Sequence, residues 1–396
     1  MNSMVSTVRG IFTLSKSEAS NSPSDEAKSD LKVLSVAWNQ EWSGFIVGTN
    51  RGFNVYSCKP MIKKSISREP HESGFKVAEM LFLSNLFALV GNGYNNSEYP
   101  PNKVFVWDDH RFCCLRELAF KSEVIAVKLT REHIVVVLKQ NIYVYTFNNL
   151  KVYRLIETLM NPKGLCCVTH VESKAVLACP GFHPGQVQVH NLRRNVIKFI
   201  KAHDSAIACM TFTLDGSLLA TASTKGTLIR IFNAVDGTLL QELRRGMERA
   251  EIYNVAISSN RKWVAASSEK GTLHVFRLRP DILSFNPASS SSLMKGILPK
   301  YLYENERSFA QFSLPASTKF IVGFGSENNV LLSDCFPHLI VARNHRRKMR
   351  SFRRCKFDQA DGGQMVELEH KCFFSLQHTD DTMVVKSPTK RTSSNI

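Results

Sequence analysis

The residues best placed to do chemistry are two adjacent arginines, Arg244 and Arg245, in the run L-R-R-G from Leu243 to Gly246. A guanidinium presents parallel donors that match the oxygens of a phosphate or carboxylate, so arginine pairs suit anion recognition. The run closes the apolar, alternating stretch Leu239 to Arg245, and successive residues of a strand point to opposite faces. The two arginines are therefore expected to serve two separate anion sites, one on each flank, with Gly246 turning the chain away without covering either. Hydroxyl-rich stretches accompany them: Thr221, Ser223, Thr224 and Lys225 before the motif, and Ser267, Ser268, Lys270 and Thr272 after it. His203 followed by Asp204 offers either a base with its orienting acid or a hydrogen-bonding pair that ties strands together. An arginine pair on a solvated face is the plain alternative for the motif itself.

The sequence holds no G-x-x-x-x-G-K-[ST], H-E-x-x-H or G-x-S-x-G, and its paired glycines lack the third member of a dinucleotide loop. No enzyme and no cofactor is expected. The ten cysteines include two adjacent pairs but no C-x-x-C, and most sit in apolar strand-like runs, so reduced core thiols are expected and no metal site.

These side chains need strands to hold them, and the strands repeat. A short alternating strand ending in an aliphatic-aromatic pair occurs at Arg51 to Tyr56, Asn102 to Trp107, Asn141 to Tyr145, Gly185 to His190, Lys225 to Phe232 and Lys270 to Phe276, with a seventh copy at Asn328 to Ser333. Val189, Ile231 and Val275 in three of these copies stand 42 and 44 residues apart. A period near 40 to 45 with turn glycines between short strands marks blades of a propeller. An all-β, seven-bladed WD40-type propeller is expected over residues 31–376, between a Ser-rich flexible leader, 1–30, and a flexible tail, 377–396.

The 396-residue chain carries 43% hydrophobic and 21% charged residues, enough to build a core, and a formal charge of +17 that draws polyanions. No apolar run nears the roughly 18 residues of a spanning helix, and the first fifteen residues lack a secretory pattern, so a cytosolic protein is expected. Two segments exceed a bare blade. Arg277 to Arg307 is far longer than a hairpin connection and includes Leu293, Met294, Ile297 and Leu298, with Lys295 and Lys300 nearby. It suits insertion at a membrane interface or packing against the propeller. Arg343 to Lys356 holds eight Lys/Arg in fourteen residues and no acid. A nucleic-acid patch, a solvated loop and a nonspecific aid to membrane attraction all remain open for it.

L-R-R-G after a fifth unit, preceded by A-T-A-S-T-K-G-T-L-I-R-I-F (Ala220 to Phe232), resembles the PROPPIN family of seven-bladed propellers. The resemblance implies binding of phosphatidylinositol 3-phosphate and phosphatidylinositol 3,5-bisphosphate at two sites. The first would use Arg244 with His203, Ser223 and Thr224, and the second Arg245 with Ser267, Ser268 and Thr272. Glu248 and Glu251, close behind the motif, would weaken a highly charged ligand. The resemblance also implies that residues 277–307 form a membrane-facing insertion in blade 6, with Leu293, Met294, Ile297 and Leu298 entering the bilayer. The implied role is recruitment of autophagy proteins to preautophagosomal, endosomal or vacuolar membranes, with the protein peripheral on their cytoplasmic face. A basic scaffold that binds RNA or acidic proteins is the rival reading; nucleic acid is not the expected partner.

Overall fold

The computed structural model describes residues 32–58, 61–66, 74–93, 98–171, 174–280, 282, 306–314, 319–325, 329–334 and 350–373. The expected leader and tail lie outside these residues, as do Leu293, Met294, Ile297 and Leu298.

Seven sheets, each built on four antiparallel strands, account for the repeats, so the fold is the expected seven-bladed propeller. First strands meet at the centre: Val33–Trp38 touches both Phe75–Met80 of the second blade and Phe320–Phe324 of the last. Among the described residues no strand of the first blade joins the last sheet, and side chains link the two. Phe352 of blade 7 stacks on Phe45 of blade 1 at 6.1 Å between centroids, and Arg354 Nη2 donates to Cys58 O at 2.6 Å. Apolar burial of this kind is worth about 1.5–3 kcal/mol per large side chain, so these contacts contribute to holding the two blades together.

Blade 5 is built from Ile207–Phe212, Leu218–Ser223, Leu228–Asn233 and Leu239–Arg244. Its second strand alternates small and polar residues, and the two faces pack differently. Ala220, Ala222, Ile229, Ile231 and Leu243 form one cluster with Ile252, Val264, Ala266 and Phe276 of blade 6. Leu219 and Phe232 pack the other way, on Val187, Val189 and Ile200 of blade 4. Gly226 makes the turn between the second and third strands at φ +67°, and a Cβ there would lie 1.7 Å from Ala250 O. Only glycine fits that turn.

Two features depart from the simple repeat. Six of the seven sequence copies are third strands, but the seventh, Asn329–Asp334, is the second strand of its sheet. The third is Arg350–Lys356, the downstream half of the basic cluster. A run so rich in arginine sits inside a sheet because its neighbour Val366–Phe373 supplies acids: Arg353 pairs with Glu367 and Arg354 with Glu369, the latter at 3.1 Å. That half of the cluster therefore serves blade 7, and residues 343–349 lie outside the described residues. In addition, Glu306–Arg307 lies parallel on the outer edge of blade 5, and Gly363–Gln364 parallel on that of blade 6.

Candidate functional site

Strand register sorts the candidate residues into two grooves. On blade 5, Leu228 pairs with Arg244 and Arg230 with Glu242, while Thr221 faces Arg230 across the inner ladder. Directly opposed residues share a face, so Thr221, Ser223, Arg230, Glu242 and Arg244 look toward blade 4. Leu243 looks toward blade 6. Continuing the alternation, Arg245 does too, and its positive charge is felt by His274 of blade 6.

The groove toward blade 4 is densely paired. His203 Nε2 and Thr221 Oγ1 share a hydrogen bond of 2.9 Å, which gives His203 the strand-tying role rather than that of a base. Burial, then the Arg230 charge, push the His203 pKa down to about 4, so the ring is neutral at pH 7. Arg230 donates to Glu242 Oε1 at 2.6 Å and to Ala202 O at 2.7 Å. Ser223 is buried at the strand end, and Thr224 bonds Ala206 O through its amide at 2.8 Å while its own carbonyl accepts from Arg249 at 3.3 Å. A cleft on the same side of the blade, at the Leu239 end of the strand, is lined by Lys198, Lys201, Arg230 and Asp236.

The groove toward blade 6 is different. Blade 6 comprises Ile252–Ile257, Trp263–Ser268, Thr272–Arg277 and Ala310–Ser313. Ala266 pairs with His274 and belongs to the cluster facing blade 5, so by the period of two Ser268, Thr272 and His274 share that face. Ser268 is 2% exposed, and its Oγ has no hydrogen-bond partner among the described residues; His274 Nδ1, also buried, has none among them either. Burial, with Arg245 adding to it, pushes the His274 pKa down to about 4. Arg245 is held by two turns: Nε donates to Gly226 O at 2.9 Å and Nη2 to Glu248 O. Partial burial lowers the Arg245 pKa, against the opposing charges of Glu248 and Glu269.

Ser267 stands apart from this group. The alternation that divides the arginines divides Ser267 from Ser268, and the Ser267 hydroxyl donates to Phe320 O of blade 7 at 2.7 Å. The acids behind the motif are engaged as well: Glu248 with Lys270 at 2.9 Å and Glu251 with Lys163 at 2.8 Å. Gly246 has no positive φ, and a Cβ there would meet nothing within 4 Å, so its backbone freedom is not what the turn uses. His274 and Arg230 were not singled out from the sequence, although counting by twos from Ser268 through Thr272 reaches His274.

By its fold the molecule is a seven-bladed propeller whose fifth blade sends one arginine into each neighbouring groove. It belongs to the PROPPIN family, whose model matches residues 32–305. It is 86% identical over 384 residues to Autophagy-related protein 18e of Arabidopsis thaliana, an alignment covering 97% of this chain and 99% of that one. It is 34% identical over 249 residues to SVP1-like protein 2 of Schizosaccharomyces pombe, covering 62% and 68%. Among solved structures, Kluyveromyces lactis Hsv2 superposes with a TM-score of 0.66 at 22% identity, covering 86% of this chain and 99% of that one. KlAtg21, solved with the coiled-coil of AgAtg16, superposes with a TM-score of 0.67 at 22% identity, covering 87% and 100%. Both structural likenesses speak to the fold.

Proposed function

We propose that this propeller binds membranes marked with phosphatidylinositol 3-phosphate or phosphatidylinositol 3,5-bisphosphate and recruits autophagy proteins to them. The observation that carries the reading is the groove between blades 5 and 6, where Arg245 faces a buried hydroxyl and a buried imidazole nitrogen that both lack partners among the described residues. A buried polar atom without a partner costs about 1–3 kcal/mol, and a phosphate oxygen is the kind of acceptor that Ser268 and the arginine would satisfy together. Arg244, with Ser223 and Thr224 near the same strand end, forms the other headgroup site, and His203 supports it through Thr221. The proposed function is binding, with no catalytic step.

The autophagy role is supported by the family and by the name of the Arabidopsis relative. KlAtg21 in complex with an Atg16 coiled-coil supports a protein partner of that class. Among the described residues no helix is long and apolar enough to cross a membrane. Attachment would therefore be peripheral, through headgroups and through Leu293, Met294, Ile297 and Leu298 of the insertion, two weak anchors acting together. Flotation tests this. Vesicles containing phosphatidylinositol 3-phosphate should carry the wild-type chain and not Arg244→Thr/Arg245→Thr, whose thermal melt should stay within a few degrees. Full flotation of the double variant would overturn the assignment.

A further inference from the structure

Both stems of the long blade 6 connection are fastened to the strand that carries the arginine motif. On the upstream side, Leu278 and Ile282 are buried in the cluster that contains Leu243 and Phe276. Arg279 Nη2 donates to Leu240 O at 2.6 Å, the Arg279 amide donates to Gln241 Oε1 at 3.3 Å, and Gln241 Nε2 returns a bond to Arg277 O at 3.2 Å. On the downstream side, Glu306–Arg307 extends the same sheet in parallel, with Leu243 opposite Glu306 and Arg244 opposite Arg307. Leu239–Arg244 is thus flanked by both ends of a connection that belongs to the next blade.

The register has an electrostatic consequence. Residues paired across a parallel ladder point to the same face, on strands about 4.8 Å apart. Arg307 therefore stands beside Arg244 and looks toward the blade 4 groove. Glu242 on that face is already paired with Arg230, and Arg307 itself is exposed. Like charges placed opposite each other across a ladder repel. A doubly charged phosphate monoester bound between two guanidinium groups reverses the sign of that interaction, because each fork takes two of its oxygens.

We propose that Arg307 is a further ligand of the Arg244 site, that it selects for a phosphate monoester, and that its engagement couples headgroup binding to docking of the insertion's downstream stem. The proposal rests on the reading of Arg244 as a headgroup ligand. Coupling of this kind is reciprocal: an occupied site holds the 306–307 strand on blade 5, and a docked strand raises affinity for the headgroup. One residue pair thereby links the two membrane anchors.

The test uses the full chain in an Arg245→Ala background, which isolates the Arg244 side, with soluble inositol 1,3-bisphosphate titrated by calorimetry. Adding Arg307→Ala should weaken binding about tenfold without changing the thermal melt, and adding Arg307→Lys should restore only part of the loss, since lysine keeps the charge but not the fork. Hydrogen exchange at the amides of 306–307 should slow on adding the probe, and should not slow when Arg244 is also alanine. Loss of binding with Arg244→Ala but unchanged binding with Arg307→Ala would overturn this inference and leave the headgroup reading standing. Unchanged binding with both would overturn the headgroup reading and the inference with it. If Arg307→Ala weakened binding to vesicles containing phosphatidylinositol 3-phosphate but not to the soluble probe, Arg307 would be a nonspecific membrane charge, and the proposed site role would be wrong.

Discussion

Arg244 and Arg245 are neighbours in the chain, yet the grooves they face are organised in opposite ways. Toward blade 4 the buried polar groups are matched: His203 with Thr221, and Arg230 with both Glu242 and Ala202 O. Toward blade 6, Ser268 Oγ and His274 Nδ1 are buried without partners among the described residues, beside an arginine whose own bonds run to main-chain carbonyls. A matched network contributes rigidity, whereas unmatched polar atoms cost stability until something binds them. The first groove is thus mainly scaffold with an arginine at its end, and the second carries the features that the proposed function assigns to a receptor. One strand serves both because its side chains alternate.

The largest effect that bears on this contrast is acid sensitivity. His203 on one face and His274 on the other are each pushed down to about 4, as are His170 and His190. In the unfolded chain they titrate near 6.5, so below that pH the unfolded state takes up protons that the folded state refuses. Stability is complete above pH 6.5 and is lost as pH falls toward 4, by about 3 kcal/mol per histidine. Urea unfolding at pH 7.5, 6 and 5 should show this decline. His274→Gln should remove one histidine's share of it, and saturating headgroup should protect the protein against acid more in the wild type than in that variant. A pH profile indifferent to His274 would contradict the buried, neutral state assigned to it.

A smaller effect separates the two glycines that flank Arg245. Gly226→Ala must accept a positive φ and a contact with Ala250 O, and should cost at least about 2 kcal/mol. Gly246→Ala should change stability by less than about 0.5 kcal/mol, and chemical denaturation would read both. The serines should give the smallest effect. Ser267→Ala breaks the bond to Phe320 O and should cost about 1–2 kcal/mol while leaving headgroup affinity intact. Ser268→Ala should leave the melt unchanged or slightly raised, and weaken binding several-fold. The reverse pattern would place the ligand toward blade 7.

Much of this was legible in the sequence, and unevenly so. Blade 5 shows its strands and turns because Gly216, Gly226 and Gly237 all adopt positive φ at its turns, and period-two strands lie between them. The opposite facing of Arg244 and Arg245 follows from the same alternation. Applied one blade later, it would have parted Ser267 from Ser268 and added His274. Blade 7 was harder, because Arg350–Lys356 reads as a charge run until Glu367 and Glu369, on the next strand, are known to lie beside it. The parallel strands Glu306–Arg307 and Gly363–Gln364 are two residues long, too short to leave any period. Their placement depends on tertiary packing alone.

The central claim is that two adjacent arginines serve two separate sites. Calorimetric titration of the full chain with soluble inositol 1,3-bisphosphate measures this most directly. The account predicts two binding events per wild-type chain and one in each of Arg244→Ala and Arg245→Ala, with the Arg245→Ala chain keeping the site that faces blade 4. A single event in the wild type, lost equally in both variants, would contradict it.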